Sequence, residues 1–392
     1  MQIITDTAEL EEFCRQQATA AFVTVDTEFM RDKTYWPQLC LVQVAGPDSA
    51  AAIDSLAPGI DLQPLFDLMA NEKILKVFHA ARQDVEIFFH LAGRVPTPVF
   101  DTQIAAMVCG FGESVSYETL AGKLAGAKID KSSRFTDWSN RPLTERQIAY
   151  ALDDVTHLRR VYERLQERLE QSGRLPWLAE EIAEMTDPGT YRMEPAEAWR
   201  RFKLRGANRR FLVVLREVAA WRETAAQQRN LPRNRVIRDE TILEIAAHSP
   251  STVAELGRSR GIARGLAEGK FGEEILEAIT RANALPESEH PKLKPRDEIP
   301  PGLGPLVDLL RVLLKLRCEE EGVAQKLVAN TEDLETIAAS DDASVPAMSG
   351  WRFDIFGKEA LALKHGRLAL TASGKRIIMV PLATGTAAGT AP

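Results

Sequence analysis

The hydrophobic pattern of this chain changes period once, near residue 170, and that change restricts the fold more than any other feature. Before it, short apolar runs of strand length alternate with helical stretches. Ala21-Phe-Val-Thr-Val-Asp-Thr-Glu28 reads as a strand and Cys40-Leu-Val-Gln-Val-Ala45 as its hairpin neighbour. Ala51-Ala-Ile-Asp54 and Lys73-Ile-Leu-Lys-Val-Phe78 read as two more. Ile60 to Ala70, the stretch after Phe78 through Leu91, Thr102 to Cys109, Tyr117 to Leu124 and Thr144 to Leu169 carry helical periodicity. Residues 1–170 are therefore expected to form an α/β domain, a mixed sheet with flanking helices. A connecting segment, 171–204, has breaks at Ser172-Gly173 and Asp187-Pro-Gly189. Residues 205–285 are helical throughout in pattern, 286–305 hold six prolines and form a stiff extended linker, and 306–375 form a second helical block. A tail of 376–392 follows, and its last eleven residues, Leu382 to Pro392, are small and polar enough to be disordered.

The two helical blocks show weak self-similarity. Asn230–Ala247 aligns without gaps on Gly322–Ala339, a shift of 92 residues, pairing Val236 with Val328 and Ile245-Ala-Ala247 with Ile337-Ala-Ala339. Duplicated helical modules are the preferred reading. No stretch reaches the roughly 20 apolar residues of a membrane span, and the first residues have no secretion-signal pattern. Four well-separated cysteines (Cys14, Cys40, Cys109, Cys318) form no Cys-x-x-Cys pair, which disfavours a zinc knuckle or a disulfide framework. A cytoplasmic monomer is expected. The net charge of −7 hides a local bias: Arg200 to Arg238 holds twelve Lys/Arg against Glu217 and Glu223. That run is either a solvated helix face or a phosphate-binding surface.

The chemistry-bearing residues are acids. Asp26 and Glu28 stand two apart on the first strand, so both side chains leave one face. A carboxylate pair there asks for a divalent cation, although surface acids at a strand end give the same spacing. Tyr150 and Asp154 stand four apart on a helix, which stacks phenol and carboxylate on one side. Asp153 points about 100° away, and Tyr150 alone also fits an ordinary amphipathic core position. Asp84 follows a strand-to-helix junction, with Glu86 as the competing acid. Four carboxylates from three segments suit a pair of Mg²⁺ (or Mn²⁺) ions, which take oxygen ligands and, about 4 Å apart, serve both sides of a phosphodiester displacement.

Three ordered motifs, Val25-Asp-Thr-Glu-Phe29, His79-Ala-Ala-Arg-Gln-Asp84 and Tyr150-Ala-Leu-Asp-Asp154, resemble those of the DEDD exonuclease superfamily in its tyrosine subclass. The histidine subclass would need His where Ala149 stands, and His157 does not substitute. The segments Asp26–Leu39 and Asp137–Thr144, together with the helical blocks, resemble the ribonuclease D branch and its paired HRDC domains, the first block better than the second. The resemblance implies an RNase H-like exonuclease domain that removes nucleotides from RNA 3′ ends, tRNA precursors included, and releases 5′-monophosphates. It implies that Asp26, Glu28, Asp84 and Asp154 bind two metal ions and that Tyr150 orients the attacking water. Thr27, Phe29 and Met30 would line the pocket for the terminal nucleotide, with His79 a weaker candidate; Phe29 and Met30 fit core packing equally well. Arg205, Arg209, Arg210, Arg229, Arg233 and Arg235 would grip the RNA body, and Trp221 is expected to pack a core.

The second block departs from the first, because Glu319, Glu320 and Glu321 stand near the positions of Arg229 and Arg233. It is expected to be structural. The catalytic motifs do not separate ribose from deoxyribose, so a DNA 3′-5′ exonuclease is the near alternative, and a non-catalytic RNA-binding scaffold the more distant one. No Gly-x-x-x-x-Gly-Lys loop is present, so no ATP dependence is expected.

Overall fold

The computed structural model describes residues 2–204, 207–292 and 300–382. Arg205, the centre of the proline-rich linker and the small polar residues from 383 onward lie outside the described residues. Six strands form one mixed sheet: β1 (Gln2–Ile4), β2 (Phe22–Met30), β3 (Gln38–Ala45), β4 (Ala50–Ile53), β5 (Leu75–Phe78) and β6 (Val99–Asp101), in spatial order β1-β4-β3-β2-β5-β6. β2, β3 and β4 pair antiparallel as a meander, while β5 and β6 run parallel to β2 and β1 runs parallel to β4. The expected α/β domain is therefore present. β1 and β6 escape the sequence pattern because three residues are too few to display an alternation.

Helices cover both faces. On one side lie α1 (Thr7–Gln17), α2 (Gln63–Ala70) and α3 (Arg82–Ala92), burying Leu10, Phe13, Leu65, Met69, Val85 and Phe88 against Val23 and Val25. On the other lie α4 (Thr102–Val108) and the long α5 (Glu145–Ser172). α5 starts in a capping box, Thr144 bonding the Gln147 backbone and Gln147 reaching back, and ends at Gly173 in a left-handed conformation. Its buried stripe, Ala151, Leu152, Val155, Leu158, Val161, Leu165 and Leu169, keeps helical spacing over its whole length. α6 (Leu175–Thr186) turns back along the domain.

Two all-helical modules follow. The first has α7 (Arg209–Arg229), α8 (Asp239–His248) and α9 (Lys270–Ala284); the second has α10 (Gly304–Glu321), α11 (Thr331–Ala339) and α12 (Lys358–Lys364). The 92-residue shift maps one onto the other at the element level. Asn230 (φ 49°) and Gly322 (φ 60°) are both left-handed caps of the long helix. Short helices Arg233–Val236 and Gln325–Val328 correspond, as do the starts of α8 and α11. The expectation of helix through 375, followed directly by a tail, needs correction. Leu368–Ser373 (β7) and Arg376–Pro381 (β8) form an antiparallel hairpin, turned at Gly374. Alternating small and apolar residues, Leu-Ala-Leu-Thr-Ala-Ser and Arg-Ile-Ile-Met-Val-Pro, are strand formers separated by a Gly-Lys turn. No helix among the described residues is long and apolar enough to cross a membrane.

Candidate functional site

The cleft exists because one strand stops short. β5 pairs with β2 only from Phe22↔Leu75 to Thr24↔Val77, while β2 continues to Met30 against β3. Beyond Thr24 the β5 side of β2 has no strand partner, so the side chains there border open space at the carboxyl end of β5, where α/β sheets bind ligands. A register shift between Glu28 and Phe29 bends the strand at that point.

Asp26 and Glu28 share the β2 face that also carries Thr24, whose hydroxyl donates to the Val155 carbonyl at 2.7 Å. That bond pins α5 onto the strand and brings Asp154 to Asp26 and Glu28. One carboxylate oxygen from each of the three lies within 4.8 Å of the others. The Tyr150 phenol hydrogen-bonds Asp154 one turn away, and Trp138 lies 6.2 Å from its ring. Thr27 points to the other face and donates its hydroxyl to Asp84 Oδ1, at the first turn of α3. The fourth acid thus approaches from the opposite side of the sheet.

The turn that places Asp84 is held by a residue the sequence reading passed over. Ala80 adopts φ 59°, a left-handed conformation rare outside glycine. Asp101, at the end of β6 and 2% exposed, accepts from the backbone N–H groups of Ala80 (3.1 Å) and Ala81 (2.8 Å). It also caps α4 through Gln103 (2.7 Å) and Ile104 (3.2 Å). Its only signal in the sequence was an Asp immediately before a helical run, a helix-cap pattern.

Asp26, Thr27, Glu28, Phe29, His79, Asp84, Tyr150 and Asp154 line one cavity of about 630 Å³. Gln83, Gln103, Tyr117, Arg134 and Phe135, none singled out from the sequence, line it too. Met30 instead packs beside Cys40 and Trp138. His79 Nδ1 sits 3.0 Å from the Thr102 hydroxyl, and burial lowers the pKa of its imidazole. Glu86 is engaged by Arg31 at 2.6 Å outside the cavity, which leaves Asp84 as the inward acid. Arg229 and Arg233 are not among the residues that line the cavity. Arg229 pairs with Glu274 (3.2 Å) over the Phe271 ring, and Arg233 pairs with Glu223 (2.5 Å) over Tyr35. Trp221 is buried and donates to Glu274, as a core residue would.

Burial raises the pKa of all four carboxyl groups, to about 6 for Asp26 and about 8 for Asp154. Repulsion from Asp26 adds to the rise at Glu28, Asp84 and Asp154. Arg134 is the cation that opposes it at Glu28 and Asp154. Packing acids this closely is costly unless positive charge enters from solution. An all-oxygen donor set of this charge fits a hard divalent cation, with Asp26, Glu28 and Asp154 as its holders.

Residues 1–170 match the family of 3′-5′ exonuclease domains, and residues 211–279 match the HRDC domain. The chain is 52% identical to ribonuclease D of Gluconacetobacter diazotrophicus, over 97% of this chain and 96% of that one. It is 50% identical to ribonuclease D of Granulibacter bethesdensis, over 96% of each. Among solved structures it is similar to Escherichia coli RNase D, an exoribonuclease involved in structured RNA processing. That likeness has a TM-score of 0.79 at 30% identity, covering 93% of this chain and 98% of that one.

Proposed function

This chain belongs to the ribonuclease D family and is a metal-dependent 3′-5′ exonuclease acting on RNA; from that premise we propose that it matures tRNA 3′ ends, with Asp26, Glu28, Asp84 and Asp154 holding two Mg²⁺ ions. The observation that carries this reading is the convergence of Asp26, Glu28 and Asp154 within 4.8 Å, with Asp84 facing the same cavity from the other side of the sheet. When bound, divalent ions there would acidify a water and stabilise the departing 3′-oxygen.

The remaining work falls to the protein. Tyr150, whose pKa is raised by burial and then by Asp154, stays a phenol at neutral pH. It therefore orients the attacking water as a hydrogen-bonding group, and a base role is not required of it. Its bond to Asp154 ties the phenol to that carboxylate. Thr27 holds Asp84 in position through its hydroxyl. Phe29 offers an apolar wall to the terminal nucleotide, and His79, held by the Thr102 hydroxyl at Nδ1 and by the Val115 backbone, lines the same cavity. In-line hydrolysis of the last phosphodiester would release a nucleoside 5′-monophosphate and leave a new 3′-hydroxyl.

The test uses a 3′-extended tRNA transcript and its DNA equivalent, both 5′-labelled, with Mg²⁺ or EDTA. A ladder of single-nucleotide losses from the RNA, absent in EDTA and with Asp84→Asn, supports the reading. Degradation of DNA alone would move the assignment to a DNA exonuclease. Binding without cleavage under any divalent metal would make the protein a scaffold.

A further inference from the structure

Part of the cavity wall comes from the short segment between Ile129 and Trp138, and two of its side chains are placed in ways that folding does not explain. Phe135 is 90% exposed, the largest exposure among the big apolar residues described. It stands at the cavity rim, not on a remote surface. Leaving a whole phenyl ring in water gains nothing for stability. Beside it, Arg134 is exposed, lies over the Phe135 ring at 5.2 Å, and makes no ion pair or hydrogen bond among the described residues. It is also the one Lys or Arg among the described residues that line the cavity. The segment itself is anchored. Ser133 is buried, the Thr136 hydroxyl bonds the Ser133 carbonyl at 2.8 Å, and Gln147 of α5 donates to Thr136 at 3.1 Å. Trp138 packs against Tyr150 just beyond. The ring and the guanidinium therefore project from a braced base.

An exposed aromatic ring next to an unpaired guanidinium is the pairing that grips single-stranded nucleic acid. The ring stacks on a base of any identity, and the cation meets a phosphate. Arg134 stands within electrostatic reach of Glu28 and Asp154, two of the acids to which the exonuclease reading assigns the metal.

We propose that Phe135 and Arg134 form the seat of the penultimate nucleotide, Phe135 stacking on its base and Arg134 pairing with the phosphate that joins it to the terminal one. This rests on the exonuclease reading above and adds two residues to it. Stacking ignores base identity, so the seat holds any sequence in register while the chain shortens, and it requires the substrate's last two nucleotides to be unpaired. Recessed 3′ ends within a duplex are poor substrates as a consequence.

The test measures trimming with Mg²⁺, and binding by fluorescence anisotropy with Ca²⁺ in its place, for wild type, Phe135→Ala, Phe135→Trp and Arg134→Gln. Substrates are a single-stranded oligoribonucleotide and the same strand with an abasic ribose at the penultimate position. Phe135→Ala is expected to weaken binding and raise KM about tenfold with kcat little changed, and Phe135→Trp to restore both. The abasic substitution should weaken wild type to the same extent and leave Phe135→Ala unaffected. Arg134→Gln should reduce the slope of log affinity against log salt by about 0.7, the loss of one phosphate contact on a single strand. Wild-type affinity in Phe135→Ala, or equal sensitivity of both proteins to the abasic site, would overturn the seat while leaving the exonuclease reading intact. If wild type shows the Phe135 signature in binding yet cleaves nothing, the seat stands and the catalytic reading falls.

Discussion

Replacing Asp84 by Asn keeps an acceptor for the Thr27 hydroxyl but removes a buried charge that repels Asp26. Under the proposed roles, Asp84→Asn lowers kcat roughly 10³-fold, the order seen when a preorganised electrostatic contact is lost. It also raises the melting temperature in EDTA, because the repulsion it relieves is uncompensated without metal. A variant that loses activity and stability together would point to simple misfolding. Acidity gives a second test. The folded pKa values of Asp26 and Asp154 are raised to about 6 and about 8, against about 3.9 for an unfolded Asp. A raised pKa means the native state holds the proton more tightly, so this stabilisation is complete below about pH 4 and lost as pH rises through 6 to 8. Metal-free protein should therefore lose melting temperature between pH 5 and 8.5, while Mg²⁺-loaded protein, whose acids are compensated, should lose much less. Identical pH profiles with and without Mg²⁺ would contradict the assignment of these acids to a metal site.

At the scale of elements, strands and helices of ordinary length were legible because their apolar spacing repeats at least twice. β2 and α5 were read almost to their ends, and with them the pairs Asp26/Glu28 and Tyr150/Asp154. Asp84 was legible as a junction residue. What holds the junction was not: Asp101 is remote in sequence, and its four N–H partners come from two turns that meet only in the folded chain. Charge density alone did not separate a solvated helix face from a phosphate-binding surface. Of the Arg200–Arg238 run, Arg200, Arg216, Arg222, Arg229 and Arg233 are consumed in ion pairs with Glu197, Glu217, Asp239, Glu274 and Glu223. Exposed Arg209, Arg210, Arg235 and Arg238 make no ion pair among the described residues and keep the phosphate-binding reading alive. Asp101→Ala would orphan buried N–H groups on both turns and is expected to cost about 3 kcal/mol. Chemical denaturation reads this directly, and Asp101→Asn, which retains one acceptor oxygen, should fall between.

At the scale of the whole molecule, the helical modules dock on the exonuclease domain in different ways. The first is held by a polar clamp. Tyr35 from the loop after β2 donates its hydroxyl to Glu223, Arg233 donates to that same hydroxyl at 2.7 Å, and Asn230 accepts from the backbone N–H groups of Tyr35 and Trp36. Glu223 is 0% exposed, and despite burial its pKa is lowered, because Arg233 and Tyr35 satisfy it. Arg233→Ala leaves that charge buried and alone, so a loss of about 3–5 kcal/mol is expected. A change confined to RNA affinity, with stability untouched, would instead give Arg233 the role in substrate binding that the sequence suggested. The second module shares an apolar core with α4, α5 and α6: Trp351 stacks on Trp177 at 4.3 Å, and Leu310, Leu313, Ile337 and Phe356 continue the cluster around Leu165 and Leu169. At the contact, a Cβ on Gly110 (φ 76°) would come within 2.5 Å of the Gly322 carbonyl. The acid run near Glu321 is partly spent there on Arg174 and Arg317. A structural role for this module follows, and removing it would strip the exonuclease domain of part of its core. Trp351→Ala should lower the stability of both parts in one transition, by about 3–5 kcal/mol; two separate transitions would show that they fold independently.

The central claim, that four converging acids hold two catalytic ions, is tested most directly by counting Mn²⁺ bound per chain at neutral pH. The measurement is isothermal titration in the presence of a nucleoside 5′-monophosphate, with Asp84→Asn and Asp154→Asn alongside wild type. Two ions per wild-type chain, and fewer or weaker ones in each variant, is the expected result. No Mn²⁺ bound by wild type, or the same two sites undisturbed by both substitutions, would contradict it.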